Sequence, residues 1–161
     1  MQIWLLDEDP YKCTSLLTNR LVTKMLVEQL QLLSTYYRKQ GMCNDFLYKE
    51  IPQGKELVEF ISDHIDWNLH YLNALVKECF KRFGNKANLY KSVSVARKLL
   101  SAFNIIKSTE NIKLNYISFR CKKEYLLHKE YNKKKLPIKQ GVALYKQYYD
   151  WNINLKNILH V

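Results

Sequence analysis

Residues 19–33, NRLVTKMLVEQLQLL, place leucine, valine and methionine side chains around most of the circumference of a predicted helix. Such a helix must be covered on several sides, which predicts a packed helical core and excludes a fully exposed helix. Its polar side chains recur on one narrow stripe formed by Arg20, Lys24, Glu28 and Gln31. Lysine precedes glutamate in the i,i+4 pair, which is the less stabilising order, so the pair does little for the helix itself. The stripe faces either solvent or a cleft.

The start of this helix is predicted upstream, at Asp9 and Pro10. Aspartate is a favoured N-cap and proline is favoured at the first helical position, so one helix is expected over about 10–38. Apolar residues at helical spacing predict a second helix over 55–83, with Gly84 as its C-cap. The first half of the chain is thus expected to consist of two long helices.

The second half of the chain has weaker periodicity. It is interpreted as a third helix over about 89–103, an extended or loop region over 104–120, a short helix over 121–131 and a last helix over about 140–159. The expected fold is mostly α. It is a compact single domain over residues 1–161, with three to five helices and a short extended amino-terminal segment.

Basic residues are concentrated in the second half of the chain. The net charge is +11; residues 1–80 hold 8 Lys and Arg against 11 Asp and Glu, whereas residues 81–161 hold 18 against 4. This asymmetry indicates a polyanionic partner, although a modest excess would serve solubility alone. Aromatic residues alternate with basic ones in NLYKSVSVARK and LYKQYYDWN, and such rings stack on bases, so nucleic acid is favoured over a membrane surface. The DNA-binding candidates in these segments are Lys91, Arg97, Tyr148, Tyr149 and Trp151.

The remaining composition predicts the compartment. The four cysteines stand far apart, without a CxxC pair or a Cys/His cluster at zinc spacing, so reduced thiols are expected. The amino terminus lacks the basic region of a signal peptide, and no segment reaches the roughly 18 apolar residues that cross a bilayer. An intracellular soluble protein, cytoplasmic or nuclear, is expected.

A possible metal site lies on the second predicted helix. Glu59, Asp63, Asp66 and His70 share one face there. They form either ligands of a divalent metal or a solvated acidic face. Four ligands on one helix converge poorly on one ion, so the acidic face is favoured and no bound metal is expected.

Three patches of sequence follow one another in the order of a known family. The first, MQIWLLDEDPYKC with NRLVTKMLVEQLQLLST, contains Lys24, Met25, Glu28, Gln31 and Leu33. The second, WNLHYLNALVKECFKRFGNK, contains Glu78, Phe80, Arg82, Phe83 and Gly84, and the third is the tyrosine-rich ALYKQYYDWN. Together they resemble the pyrimidine dimer DNA glycosylases of the phage endonuclease V type. The His-Pro dipeptide of many relatives is missing, with Asp63 and His64 in that vicinity.

The resemblance implies a bifunctional glycosylase and abasic-site lyase. In that family an amino-terminal α-amine attacks the anomeric carbon of the damaged nucleotide, and a helix glutamate assists. An α-amine has an ordinary pKa of about 7.7–8.0, so a useful fraction is neutral and nucleophilic near pH 7. Gln2 is too bulky for the usual removal of the initiator methionine, so Met1 is expected to supply the amine. Glu28 is the first candidate for the assisting carboxylate, and Asp7 is the second.

The resemblance also implies a binding surface. Arg20 and Lys24 would contact the phosphates beside the lesion, with Arg82 as a further DNA-binding candidate. The aromatic rings of the last segment would stack on an extruded base, or would equally serve as core anchors of the last helix. Damaged duplex DNA is the expected partner of a monomer without a small-molecule cofactor or a membrane. A non-catalytic nucleic-acid-binding protein on the same scaffold is the alternative, because charge gives affinity without chemistry.

Overall fold

The fold is described here from a computed structural model, over residues 1–103 and 112–159, without the side chains of residues 157–159. In these residues the helices are α1 (Pro10–Ser15), α2 (Asn19–Lys39), α3 (Lys55–Asp63), α4 (Ile65–Phe83), α5 (Lys91–Ala102) and α6 (Ile138–Leu159). Two short strands, β1 (Ile117–Phe119) and β2 (Lys134–Leu136), and two 3₁₀ turns (Gly84–Leu89 and Lys129–Tyr131) complete the regular structure of the described residues. The mostly α class is confirmed, with one α-helix in these residues beyond the largest number predicted.

The helix predicted over 10–38 is interrupted at residues 16–18, which separate α1 from α2. Its predicted start is confirmed, since the Asp9 side chain accepts hydrogen bonds from two backbone N–H groups of the first turn. Thr18 then caps a new start, because its hydroxyl accepts the backbone N–H of Leu21 at 3.4 Å. The leucine periodicity continues across this break, so the hydrophobic pattern alone does not reveal it.

α3 and α4 are separate helices because the chain bends at His64, so the single helix predicted over 55–83 is wrong there. The Nδ1 atom of His64 lies 3.1 Å from the carbonyl oxygen of Phe60. Its Nε2 atom accepts the backbone N–H of Asn115 at 3.0 Å. A carbonyl only accepts and an N–H only donates, so the ring is neutral with its proton on Nδ1.

The amino-terminal segment Ile3–Leu6 lies in the core although it forms no helix or strand. The buried thiol of Cys13 donates to the carbonyl oxygen of Trp4 at 2.9 Å and accepts the N–H of Leu6 at 3.3 Å. Burial raises the pKa of this thiol to about 12, so it stays protonated. The ring of Trp4 packs against tyrosine rings of α6. The segment is therefore held by both α1 and α6.

The strands β1 and β2 form an antiparallel pair that the sequence analysis did not predict. The short helix predicted over 121–131 is wrong, since one 3₁₀ turn at Lys129–Tyr131 is the helical part of that segment. His128 and Lys133 have φ angles of 63° and 62°, in the left-handed region that an α-helix does not use. Part of the extended or loop region predicted over 104–120, residues 104–111, lies outside the described residues, and β1 is an extended part of the remainder.

Helix α6 crosses β1 at very short range, and Gly141 permits the approach. A Cβ atom built on Gly141 would lie 2.3 Å from the Cβ atom of Ile117, which is fully buried and fixed in β1. No side chain larger than hydrogen fits there without a shift of α6. Helix α6 also forms one wall of the candidate active site, so this crossing helps to set the shape of that site.

We expect Gly141→Ala to destabilise the fold by about 1–3 kcal/mol, because overpacking exceeds the gain of up to about 1 kcal/mol in helix propensity. Urea unfolding followed by circular dichroism measures the change. Ala143→Ser, at an exposed position of the same helix, is the control and should stay within about 0.5 kcal/mol of the parent. A more stable Gly141→Ala protein would contradict the packing described here.

The stability of the fold should fall as the pH drops below about 6.5, the ordinary pKa of histidine. Desolvation lowers the pKa of His64 in the folded protein, against smaller raising contributions from its contact with Phe60 and from Asp63. Protonation therefore favours the unfolded chain, and it also removes the acceptor for Asn115. Urea midpoints measured between pH 5 and 8 test this, and His64→Gln should flatten the profile. An unchanged slope in that variant would assign the effect to other groups.

Candidate active site

A cleft of about 270 Å³ opens where the amino-terminal segment, α2, the loop after β1 and α6 meet. We call it the amino-terminal cleft. Its lining residues are Met1, Gln2, Trp4, Leu21, Lys24, Met25, Glu28, Arg120, Cys121, Lys122, Tyr148, Asn152 and Lys156. Four of these side chains are basic and one, Glu28, is acidic. The cleft is therefore a positively charged depression with a single carboxylate.

The carboxylate of Glu28 holds the amino-terminal segment directly. Its Oε2 atom accepts the backbone N–H of Gln2 at 3.1 Å, and its Oε1 atom lies 3.7 Å from the ammonium of Lys24. Met1 precedes Gln2 and lines the same cleft, so its amine is one residue away from the amide that Glu28 binds. The half-buried carboxylate is thereby oriented by one backbone hydrogen bond and one ion pair beside the chain start.

The hydroxyl of Tyr145 fixes the amino-terminal segment from the other side. It donates to the carbonyl oxygen of Ser118 at 2.8 Å and accepts the backbone N–H of Arg120 and the side-chain amide of Gln2, both at 3.1 Å. Burial raises the pKa of Tyr145, so the hydroxyl remains a donor at neutral pH. One buried phenol thus ties α6, β1 and Gln2 together.

The basic side chains of the cleft come from both halves of the chain. Lys24 lies on α2, Arg120 and Lys122 follow β1, and Lys156 lies on α6. Burial lowers the pKa of Lys156, and repulsion from Lys122, Lys24 and Arg20 lowers it further. Concentrated positive charge of this kind attracts an anionic ligand, because binding one relieves the mutual repulsion.

Besides Lys24, two basic side chains of the cleft have partners within the protein. The ammonium of Lys122 lies 3.4 Å from the side-chain oxygen of Asn152, on α6. The guanidinium of Arg120 pairs with the carboxylate of Glu56 at 3.2 Å, on α3. These contacts orient the Lys122 and Arg120 side chains, and the cleft wall retains a net positive charge.

The structure places four of the predicted site residues together, because the lining of the amino-terminal cleft includes Met1, Lys24, Glu28 and Tyr148. Arg20 is exposed and acts on Lys156 electrostatically, but it does not line the cleft. Asp7 lies in a different groove beside α6, where its carboxylate accepts the backbone N–H of Asp9 at 2.9 Å. Asp7 therefore does not line the cleft that contains Met1, whereas Glu28 does.

Besides Arg20, three predicted DNA-binding cations lie outside the cleft. Arg82 pairs with Glu78 at 2.8 Å and donates to the carbonyl oxygen of Leu17 at 2.6 Å, so it joins α4 to the loop before α2. Arg97 stacks on a phenylalanine ring of α4, 4.5 Å from its centroid. Lys91 is exposed at the start of α5. Arg82 has a structural use in these contacts, whereas Lys91 remains available to solvent.

The aromatic residues predicted to stack on a base are largely internal. Tyr148 and Tyr149 are buried, and their rings pack against Trp4. The hydroxyl of Tyr149 accepts the backbone N–H of Thr18 at 2.9 Å. Trp151 is half-buried and its ring stacks on Tyr148. This geometry favours the interpretation as core anchors of the last helix, with Tyr148 alone of the three reaching the cleft wall.

The acidic set on α3 and α4 is dispersed by the bend at His64. Glu59 contacts Lys55 and Lys135, and Asp63 accepts the hydroxyl of Tyr116 at 2.7 Å. Throughout residues 1–103 and 112–159, no group of three or more His, Cys, Asp or Glu side chains is arranged to hold a metal ion.

Sequence reasoning missed several residues that line the amino-terminal cleft. They are Gln2, Arg120, Lys122, Asn152 and Lys156. The excess of basic residues after residue 80 indicated the region but not the individual positions. The missing information is tertiary, because these residues reach the cleft only through the packing of the amino-terminal segment, β1 and α6.

A small helical fold with a basic cleft is typical of a protein that acts on nucleic acid. The sequence model described as pyrimidine dimer DNA glycosylase matches residues 1–91, more than half of the chain, and the chain belongs to this family. The membership supports a DNA repair glycosylase with DNA as its substrate. The searches of curated proteins and of solved structures found no match.

The matched range covers only one side of the cleft. It includes Met1, Lys24 and Glu28 and ends before Arg120 and Lys156.

Within the described part of the chain, none of the helices is long and apolar enough to cross a membrane.

If the cleft binds DNA phosphates, Lys122→Ala and Lys156→Ala should each reduce the slope of log K against log salt concentration by about 1. Fluorescence anisotropy with a labelled duplex, titrated between 50 and 200 mM salt, roughly the range over which such slopes are resolved, measures this. Lys91→Ala is the matched control outside the cleft and should leave the slope unchanged. A larger loss with Lys91→Ala than with Lys122→Ala would place the interface on α5 instead.

Proposed function

We propose that this chain acts as a single-domain monomer that removes damaged bases from DNA and cleaves the resulting abasic site. The substrates are pyrimidine dimers or abasic sites, and the nucleophile is the α-amine of Met1. One contact carries the proposal: the Glu28 carboxylate accepts the backbone N–H of Gln2 at 3.1 Å, in a cleft that Met1 also lines. The cleft thus brings together the two residues that carry the groups an imine mechanism requires, Met1 with its amine and Glu28 with its carboxylate.

The first step is a displacement at the sugar. The lone pair of the Met1 amine forms a bond to C1′ while the bond from C1′ to the base breaks. The base leaves with that electron pair and takes up a proton. The nitrogen then loses a proton and the sugar ring opens, with O4′ taking a proton, which leaves a protonated imine.

The second step cleaves the strand. The imine makes the C2′ proton acidic, and its removal expels the 3′ phosphate by β-elimination; water then releases the amine. Glu28 stabilises the positive charge that develops at the sugar and carries these protons. The neighbouring Lys24, with Lys122 and Lys156, holds the phosphates on either side of the reacting nucleotide.

Glu28→Gln should lower strand cleavage at an abasic site by at least about 100-fold, while DNA binding stays within about threefold. Glutamine retains an oxygen that can accept the N–H of Gln2, so the segment stays in place. Gel assays of cleavage, with anisotropy for binding, separate the two effects. Wild-type cleavage by Glu28→Gln would remove this residue from the mechanism.

Borohydride trapping tests the amine itself. The protein is incubated with abasic DNA and reductant, and mass spectrometry of the digested adduct locates the modified residue, expected at Met1. Extension of the amino terminus by one residue should abolish the adduct without loss of salt-sensitive binding. If the unmodified protein binds abasic DNA but gives no adduct, the enzyme proposal fails and a non-catalytic DNA-binding protein is the better description.

A further inference from the structure

Two adjacent leucines are exposed on the loop between β1 and β2. Leu126 and Leu127, which we call the leucine pair, expose 70% and 59% of their surface. Single exposed leucines are common on proteins, but two neighbouring ones form an apolar projection that is not part of the hydrophobic core of the described residues. The surrounding residues 120–135 hold seven basic side chains against two glutamates. The projection is therefore apolar at its tip and cationic around it.

The loop that carries the leucine pair is held on both sides. Before the pair, the ring of Tyr125 packs against Tyr148 and Trp151 with centroids 4.9 and 5.1 Å apart. After it, Nε2 of His128 lies 2.8 Å from the side-chain oxygen of Gln147 on α6. A projection anchored in this way loses little conformational entropy when it inserts into a ligand.

The leucine pair is also close to the amino-terminal cleft. Lys122 lines the cleft, and its backbone N–H donates to the hydroxyl of Tyr148 at 3.2 Å. Leu126 is four residues further along the chain, at most about 14 Å away. Successive bases in a duplex rise about 3.4 Å, so this chain span corresponds to about four base steps along a duplex bound at the cleft.

We propose that Leu126 and Leu127 form an apolar wedge that enters the base stack of duplex DNA beside a lesion. Leucine is one of the side chains that proteins insert between base steps, and the surrounding lysines fit the phosphates on either side. A damaged or missing base lowers the cost of unstacking, so the wedge favours lesion sites over intact duplex. The proposal rests on the proposed function only in taking damaged DNA as the partner.

The test uses a duplex in which 2-aminopurine lies next to a tetrahydrofuran abasic analogue. This analogue cannot form an imine, so the result does not depend on the proposed chemistry. Wild-type protein should raise the 2-aminopurine fluorescence by unstacking the base. The double variant Leu126→Ser/Leu127→Ser should lose most of this rise, and its affinity for the lesion duplex should fall about tenfold. Its affinity for intact duplex and for single-stranded DNA with the same analogue should stay unchanged.

The matched control is Leu89→Ser, which removes a leucine that is 84% exposed in the turn before α5. It should bind and unstack DNA as the wild type does. Wild-type fluorescence and affinity in the double variant would overturn the wedge, as would an equal loss on lesion, intact and single-stranded DNA. Loss of binding to phosphatidylserine vesicles, with DNA binding retained, would identify a membrane surface as the partner and also overturn it.

The outcomes separate this proposal from the proposed function. If the protein gives no borohydride adduct but still unstacks 2-aminopurine through the leucine pair, the wedge proposal stands and the proposed lyase activity is wrong. If the protein forms the adduct through Met1 but unstacks 2-aminopurine equally well without the leucine pair, the proposed lyase activity stands and the wedge proposal is wrong.

Discussion

The burial of residues Ile3–Leu6 fixes the position of the amino terminus within the fold, and the candidate site depends on that position. Each of these four apolar side chains contributes about 1.5–3 kcal/mol when buried, whereas the hydrogen bond from Gln2 to Glu28 contributes about 1 kcal/mol net. Packing therefore holds the segment, and the hydrogen bond selects its final orientation. The thiol of Cys13 satisfies backbone groups that an unpaired segment would otherwise leave buried without partners.

The two halves of the chain contribute differently to the amino-terminal cleft. Residues 1–91, which match the family, supply Met1 and the single carboxylate of the cleft, Glu28. The remainder supplies most of the positive charge, through Arg120, Lys122 and Lys156. Gly141 makes this possible, because its missing side chain lets α6 approach β1 and close the cleft. Electrostatic attraction and the proposed chemistry thus come from separate segments that a single packed core brings together.

Local sequence signals correctly predicted helix ends that are set by capping residues. They failed where a contact between residues distant in sequence determines the structure. Asp9 and Pro10 gave the start of α1 correctly because capping involves only neighbouring residues. The bend at His64 was missed because its cause includes a hydrogen bond from Asn115, 51 residues away. The β1–β2 pair was missed for the same reason, since two three-residue strands have almost no periodicity of their own.

For the candidate site, the sequence by itself determined the stripe of Lys24 and Glu28, because helical periodicity places residues four apart on one face. It also determined that the second half of the chain is strongly basic. Only the tertiary structure decided that the stripe borders a cleft, and that Asp7 lies elsewhere. The physical reason is that periodicity relates residues within one helix. The position of Met1 and of the basic side chains after residue 119 follows from packing between elements far apart in the chain.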